Sequence, residues 1–451
     1  MGSRVLFELQ KIILGVILVI LYVSLLTFIL LTLPYRALVI VVAKICRPEL
    51  GSMITDLSSV FSLERPEESI FNLMYFVIID GNIPTERFRD LFQRRIMNRW
   101  NARRNSLVFY RLREGWDYFL GYTFWKPDPN FDLNYYIRDY DYDGKLALPS
   151  PCYEEHLRRV CTGLTQVHWK KGRSAWEIIF IHNYRTEGDS KPKTVFVARH
   201  QHTVIDGYSL VELMKLLFQT EYPLSTPTVP KMPLWLKLLN PVILPFKIPY
   251  DLAENILDSM DSHSEWHMNN DKWRNYITSF LRPIHVDKIK AVKNKHKVSY
   301  ATVIFAVICG GIYRILREAG RPIPDSLATL IPVPKPNHPG GAVNHVRIVN
   351  TRWQIHSESS VKRLHMLQSN LDKLRYSTVP LGGDLLTPAL GLLPTIMRKW
   401  IVYFGILQGA SIIASSFPVT MAPIYFDGFE IIDLIPCTGT FGPKIGKMKQ
   451  T

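Results

Sequence analysis

The sequence predicts an α/β protein of two domains behind an N-terminal transmembrane helix, and three observations carry that prediction. The chain has 451 residues, too many for one ordinary hydrophobic core. Between Lys11 and Arg36 lie 24 residues, Ile12 to Tyr35, without a charge. Near the middle, the apolar run Thr194-Val195-Phe196-Val197-Ala198 suits a central strand covered on both faces. After it, Leu210, Leu213, Met214 and Leu217 recur at the spacing of a core-facing helix stripe. The expected layout is a membrane anchor over 1–50, a first domain over 51–220, a crossover and membrane-proximal linker over 221–280, and a shortened second domain over 281–451.

The uncharged run is long enough to cross a hydrocarbon core of about 30 Å at about 1.5 Å per residue, so a transmembrane helix is expected at about 12–35. No small-x-small cleavage site precedes polar sequence, which argues for a retained anchor. Arg4 and Lys11 stand before the run and Arg36, Lys44 and Arg47 after it, so the charge bias slightly favours a cytosolic C-terminal body. Pro34 leaves a second topology open, with Ala37 to Ala43 returning as a re-entrant or interfacial segment. Leu6 stands where a myristoylation motif needs Ser or Thr; Cys46 is a palmitoylation candidate.

Composition narrows the remainder. Hydrophobic residues at 47% and aromatics at 12% exclude a disordered chain. Five cysteines without CxxC spacing argue against a disulfide framework and a zinc site, and no Asn-x-Ser/Thr sequon occurs. The net charge of +15 is concentrated in Arg87 to Arg113, where Phe88, Leu91, Phe92, Ile96 and Trp100 follow helical spacing. That block reads as a solvated helix face over a core stripe, or as a surface for lipid head groups or CoA phosphates; nucleic acid ranks last, because no binding module accompanies the charge. Two later stretches look membrane-directed. Pro233 to Tyr250 mixes Trp, Leu, Lys and Pro as a surface-lying segment or a pocket cap does, and Leu385 to Phe417 is expected to form buried helices.

The most informative stretch is Arg199-His200-Gln201-His202-Thr203-Val204-Ile205-Asp206-Gly207, a turn from the buried strand into the helix. It brings a histidine to the mouth of a sheet. His202, with an ordinary pKa near 6.5, is mostly neutral at cytosolic pH and suits proton removal from an alcohol attacking a thioester. Asp206 is expected as an N-cap, with Ser209-x-x-Glu212 a competing capping box one turn on. Gly207 is expected to allow backbone angles that a side chain resists. No GxGxxG after a strand, GxxxxGK[ST], GxSxG or HExxH occurs, which removes the usual dinucleotide, nucleotide, serine-hydrolase and zincin readings.

Gln201-His202-Thr203-Val204-Ile205-Asp206-Gly207 resembles the HHxxxDG motif of the CoA-dependent acyltransferase superfamily, and the chain is similar to its wax ester synthase/diacylglycerol acyltransferase family. The likeness extends over Phe131 to Arg138, Arg173 to Ile178, Ala301 to Arg317, Pro324 to Pro334, Gly340 to Asn344, Ser415 to Pro418 and Pro423 to Gly428. It implies two α/β domains with mixed sheets and a tunnel between them, CoA and acyl acceptor entering from opposite ends. By the same likeness His202 is the general base, Asp206 organises the turn through a structural ion pair, Gly207 permits a tight fold, and Asn344 is a possible substrate or oxyanion contact. Acyl-CoA is implied as co-substrate with no bound cofactor and no metal, the acceptor being a fatty alcohol or diacylglycerol in a bilayer of the endoplasmic reticulum or at a lipid droplet.

The motif's first histidine is Gln201 here, its Asn-Asp pair falls on Tyr300-Ala301, and the sequence stops at Thr451 where the family continues through further strands. These departures motivate a second reading, an inactive lipid-binding or lipid-droplet scaffold of the same fold. A third keeps the enzyme and changes the acceptor to a sterol or a small polar alcohol.

Overall fold

The computed structural model describes residues 2–68, 72–189, 191–220, 234–260, 278–280, 282–402, 411–415 and 423–438. An uninterrupted apolar sequence gives one long helix, α1 (Gly2–Cys46), with Pro34 inside it. The helix continues past Pro34 and Arg36, so the re-entrant reading of residues 37–43 is not what forms. By length and composition α1 is able to cross a membrane. Its last turns bury Val39 and Ala43 against Tyr122 and Phe124.

The first half continues through α2 (Asp56–Phe61), β1 (Asn72–Ile79) and α3 (Thr85–Phe92). Two small hairpins follow, β2 (Trp100–Asn101) with β3 (Ser106–Leu107) and β4 (Glu114–Phe119) with β5 (Tyr122–Pro127), and then α4 (Leu133–Tyr136), β6 (Ile137–Asp139) and α5 (Glu154–Leu164). β7 (Trp176–Tyr184), β8 (Lys193–Gln201) and α6 (Gly207–Phe218) complete it. The basic block is not one helix. α3 passes into a wider π turn over Gln93–Met97, after which the chain extends and leaves Trp100 exposed, while Phe88, Leu91, Phe92 and Ile96 are buried as their spacing requires.

α7 (Leu234–Met260) leads to the second half, which holds α8 (Val286–His296), α9 (Tyr300–Glu318), β9 (Ser326–Pro334), β10 (Val346–Gln354) and α10 (Ser360–Tyr376). α11 (Val379–Leu392), α12 (Thr395–Ile401), β11 (Ile412–Ile413), β12 (Ile424–Phe426) and β13 (Phe429–Thr438) follow. Of the stretch expected as buried helices, α11 and α12 bury Ala389, Leu390 and Arg398 but expose Leu385, Ile396 and Trp400. Residues 403–410 and 416–417 of that stretch, and residues 416–418 of the later likeness, lie outside the described residues.

Two sheets organise the molecule. The larger has the order β12-β13-β1-β8-β7-β6, antiparallel except where β6 meets β7. Alternation along β8 sends Phe196 and Ala198 into one aromatic core with Phe88, Phe180 and Phe426, and Val195 and Val197 into another with Leu157, Val160 and Ile179. The strand is therefore covered on both faces, as its continuous apolar run requires, although its neighbours are antiparallel. The smaller sheet, β10-β9-β11, packs Leu327, Ile331, Val349 and Trp353 against Phe305 and Cys309 of α9 and Leu367 of α10.

One boundary differs from the sequence reading. β12 and β13, expected within a second domain over 281–451, join the first sheet, where β13 pairs with β1 from Leu73↔Thr438 to Ile79↔Ile431. β1 needs a partner on that side, and the apolar residues of β13 complete its cores with Ile431, Leu434 and Ile435.

Candidate functional site

β8 ends at Gln201, and residues 202–206 turn the chain into α6, with Asp206 as N-cap. The His202 ring stacks on Phe61 of α2, with ring centroids 3.9 Å apart and planes inclined by 13°. Its Nδ1 lies 3.0 Å from Oδ1 of Asn344, which comes from the loop before β10. The orientation of that amide is fixed, because Nδ2 donates to the carbonyls of His202 at 2.7 Å and Thr203 at 3.0 Å and to Ser58 Oγ at 3.0 Å. Oδ1 must therefore accept. The proton of neutral His202 sits on Nδ1, and Nε2 carries the lone pair.

His202 lines an apolar cavity of about 1690 Å³ whose walls also include Phe61, Tyr75, Leu210, Met214, Leu330 and Ile348. Burial lowers its pKa below the ordinary histidine value, against the opposing influence of its own backbone, Asp206 and Asn344. The base-ready neutral ring is thus the resting form. His200, two residues back on the strand, is pushed down to about 3 by burial and by the neighbouring His202. It stacks on Tyr75 at 5.8 Å, and its buried Nε2 has no hydrogen-bond partner among the described residues.

Asp206 is fully buried. One carboxylate oxygen accepts the Ser209 N–H at 2.7 Å and the other the His345 N–H at 2.6 Å, while the Asp206 N–H donates to the Val343 carbonyl at 3.0 Å. His338 Nε2 stands 3.5 Å away. Burial by itself raises the carboxyl's pKa, but the hydrogen bonds from His338, Ser209 and His345 outweigh it and hold the group below the usual range. Asp206 therefore fastens the 338–345 loop of the second half to the start of α6. Glu212 does not close a capping box there; its carboxylate accepts the Gly341 N–H at 3.1 Å. Gly341 has φ +77, and a Cβ on it would meet the Val108 carbonyl oxygen at 2.4 Å, so only glycine fits the loop at this point.

Two expectations are corrected by this geometry. Gly207 has no positive φ; it is the first residue of α6 and a wall of the cavity, so what it contributes is the absence of a side chain. Asn344 is not placed as an oxyanion contact, since its two amide protons are engaged by three oxygens of the protein and it is absent from the cavity wall. Gln201, fully buried, supports the turn: its Nε2 donates to the Phe61 carbonyl at 2.9 Å and its Oε1 accepts the Thr203 N–H. The opening Arg199 is structural as well, buried against Glu177 with Nε at 2.7 Å and stacked on Trp169.

Sequence reasoning missed Ser58 and Phe61, which shape the site from α2, and His338 beside Asp206. Asp-Leu-Ser-Ser-Val-Phe carries no motif signal, and only packing brings it to the turn. Tyr300-Ala301, the other departure, opens α9, where Ser299 caps the helix by accepting the Thr302 N–H.

Residues 58–236 match the model of the wax ester synthase/diacylglycerol acyltransferase catalytic domain, a stretch that contains His202 and Asp206 but not Asn344. No curated protein matches the chain. Among solved structures, the first condensation domain of the calcium-dependent antibiotic synthetase, in complex with a substrate analogue, is similar at 11% identity and a TM-score of 0.50, over 88% of this chain and 86% of that one. The wax ester synthase/diacylglycerol acyltransferase from Marinobacter aquaeolei VT8 is similar at 16% identity and a TM-score of 0.49, over 85% and 86%. The polyketide synthase associated protein 5 from Mycobacterium tuberculosis is similar at 14% identity and a TM-score of 0.44, over 87% and 89%. At such identities the likeness concerns fold, and the fold is the mixed α/β arrangement of the condensation domain.

Proposed function

We propose that this chain, which carries the wax ester synthase/diacylglycerol acyltransferase catalytic domain over residues 58–236, is an O-acyltransferase that moves a fatty acyl group from acyl-CoA to a lipid alcohol. The acceptor is a long-chain fatty alcohol, giving wax ester, or diacylglycerol, giving triacylglycerol. The observation that carries this reading is a neutral histidine, oriented by Asn344, on the wall of a large apolar cavity. Such a cavity suits alkyl chains, and a base with its lone pair on Nε2 suits a single hydroxyl.

In the proposed reaction Nε2 of His202 takes the hydroxyl proton while the oxygen attacks the thioester carbonyl. The tetrahedral intermediate collapses, the carbon–sulfur bond breaks, and the CoA thiolate leaves with the proton held by the imidazolium. No acyl-enzyme and no bound cofactor enters the sequence of steps; acyl-CoA is a co-substrate. Asp206 acts at a distance, by keeping the loop that bears Asn344 against the turn. α1 holds the protein at a membrane, for which we propose the endoplasmic reticulum or a lipid droplet, with the catalytic body toward the cytosol.

The test is ester formation by membranes bearing the full chain, supplied with labelled acyl-CoA and a panel of alcohols. His202→Ala is expected to reduce the rate about 100- to 10,000-fold, the usual contribution of a general base. An unchanged rate would falsify the assignment. Lipid binding without turnover across the panel selects the scaffold reading instead, and strong activity on a water-soluble alcohol moves the acceptor. The buried structural position of Gln201 removes one motive for the scaffold, since that side chain serves the turn.

A further inference from the structure

α1 is docked lengthwise on the catalytic body, and both of its ends touch polar groups of that body. Near its start, buried Lys11 pairs with Glu254 of α7 at 3.3 Å, and the Tyr250 hydroxyl donates to Glu8 at 2.6 Å. One turn on, a Cβ on Gly15 would stand 3.6 Å from the Pro249 backbone, so the two helices all but touch. In the middle, Ile29 is buried against Leu57, Val60 and Leu390. Farther along, Tyr35 donates to the Leu120 carbonyl, Arg36 to the Gly391 carbonyl, and Arg47 pairs with Asp117 at 3.0 Å.

α7 is itself fixed to the second half. Asp251 accepts the Thr378 N–H and hydroxyl, and Asn255 donates to the Asn350 carbonyl of β10. Lys373 of α10 pairs with Glu254 and Asp258. From Lys11 to Ala43 the helix is about 48 Å long at 1.5 Å per residue, against a hydrocarbon core of about 30 Å. If α1 crossed a bilayer, the acidic and basic groups around Glu254 and those around Asp117 would lie on opposite sides. The α/β body joining them, with charged groups such as Arg347 and Asp384 between, would have to sit in hydrocarbon.

From these contacts we infer that α1 lies along one leaflet of the membrane instead of crossing it, and that the cavity opens into that leaflet beside it. The outward side of α1 supplies the surface: Ile13, Ile20, Leu31, Leu38 and Ile45 are all exposed. Val19 and Leu21 of α1, Leu385 of α11 and Trp400 of α12 are both exposed and part of the cavity wall, which places the mouth among these three helices. The occupant of this surface is the acyl-chain layer of an anionic bilayer, whose headgroups complement the chain's net charge of +15. A lipid-soluble ligand then reaches His202 sideways from the leaflet without passing through water. The membrane geometry rests on the α1 contacts alone; the identity of that ligand rests on the acyltransferase reading.

The experiment uses the full chain in vesicles of phosphatidylcholine and phosphatidylserine. Spin labels are placed by Ile13→Cys, Ile20→Cys, Leu31→Cys and Val41→Cys, each in a Cys46→Ser background, and their depths are read from oxygen and nickel-chelate accessibility. The expected result is a similar shallow depth at all four, with an N-terminal tag and a C-terminal tag both cleaved by protease added outside sealed microsomes. A depth profile that is deepest at Ile20 and Leu31 and shallow at Ile13 and Val41, or an N-terminal tag protected while the body is cleaved, overturns the inference. Labels shielded from oxygen along the whole helix would mean that protein covers it, and would also overturn it. None of these readings depends on ester formation, so a wrong acceptor and a wrong topology fail separately.

Discussion

His202 and its two neighbours in sequence divide the work at the site by where each side chain ends. His202 reaches the cavity, Gln201 turns back to α2, and His200 is shut inside the sheet region beside Tyr75. In the proposed reaction Asn344 positions the base through its hydrogen bond to His202 Nδ1. Asn344→Ala is expected to lower kcat about 10- to 100-fold with a smaller change in KM, and to shift the acidic limb of the kcat pH profile, because the ring loses its fixed tautomer and orientation. A change in KM alone would contradict that role. The burial that lowers the His202 pKa also places the loss of activity on acidification below about pH 6.5, the ordinary histidine value. His200 gives a separate pH effect. Its folded-state pKa of about 3 lies below the unfolded value near 6.5, so its contribution to stability is complete above about pH 6.5 and is lost as the pH falls toward 3. At pH 5 that loss is about 2 kcal/mol. Unfolding free energies measured from pH 7 to 4.5 are expected to fall less steeply in His200→Phe, which keeps the ring stack and removes the titrating nitrogen; equal slopes would show that other groups govern acid sensitivity.

Among the elements, α6 and its cap decide whether the site holds together. Asp206→Ala removes the cap, worth about 0.5–2 kcal/mol, and also leaves the part-buried His345 N–H without its acceptor, worth up to about 1 kcal/mol more. The expected result is a lower Tm together with reduced activity; an unchanged Tm would mean that the 338–345 loop is held by other contacts. The strand-to-helix handover at 194–217 was legible in the sequence because two different periods meet there, and the cap because Asp precedes the apolar stripe. The basic block at 87–113 was legible only in part. Spacing identified the buried Phe88, Leu91, Phe92 and Ile96, but the chain leaves the helix after Met97, and periodicity across so few turns does not register that exit.

At the scale of the whole molecule, β13 returns across more than 350 residues to pair with β1 and close the larger sheet on that side. A chain stopped after residue 423 is expected to expose the β1 edge and to elute from size exclusion as aggregate, while the full chain in the same detergent does not; a monodisperse truncated chain would show that β13 is dispensable. The long apolar helix, the strand buried on both faces and the histidine turn were all legible in the order of residues, because each is written locally, as an uncharged run, a period or a motif. Packing between distant segments, by contrast, set the hydrogen bond of Asn344 to His202, the presence of Ser58 and Phe61 at the turn, the joining of the last strands to the first sheet, and the contacts of α1 along the body. Each of those depends on which distant segments bury one another's apolar surface and satisfy one another's hydrogen bonds, and neither spacing nor composition carries that information.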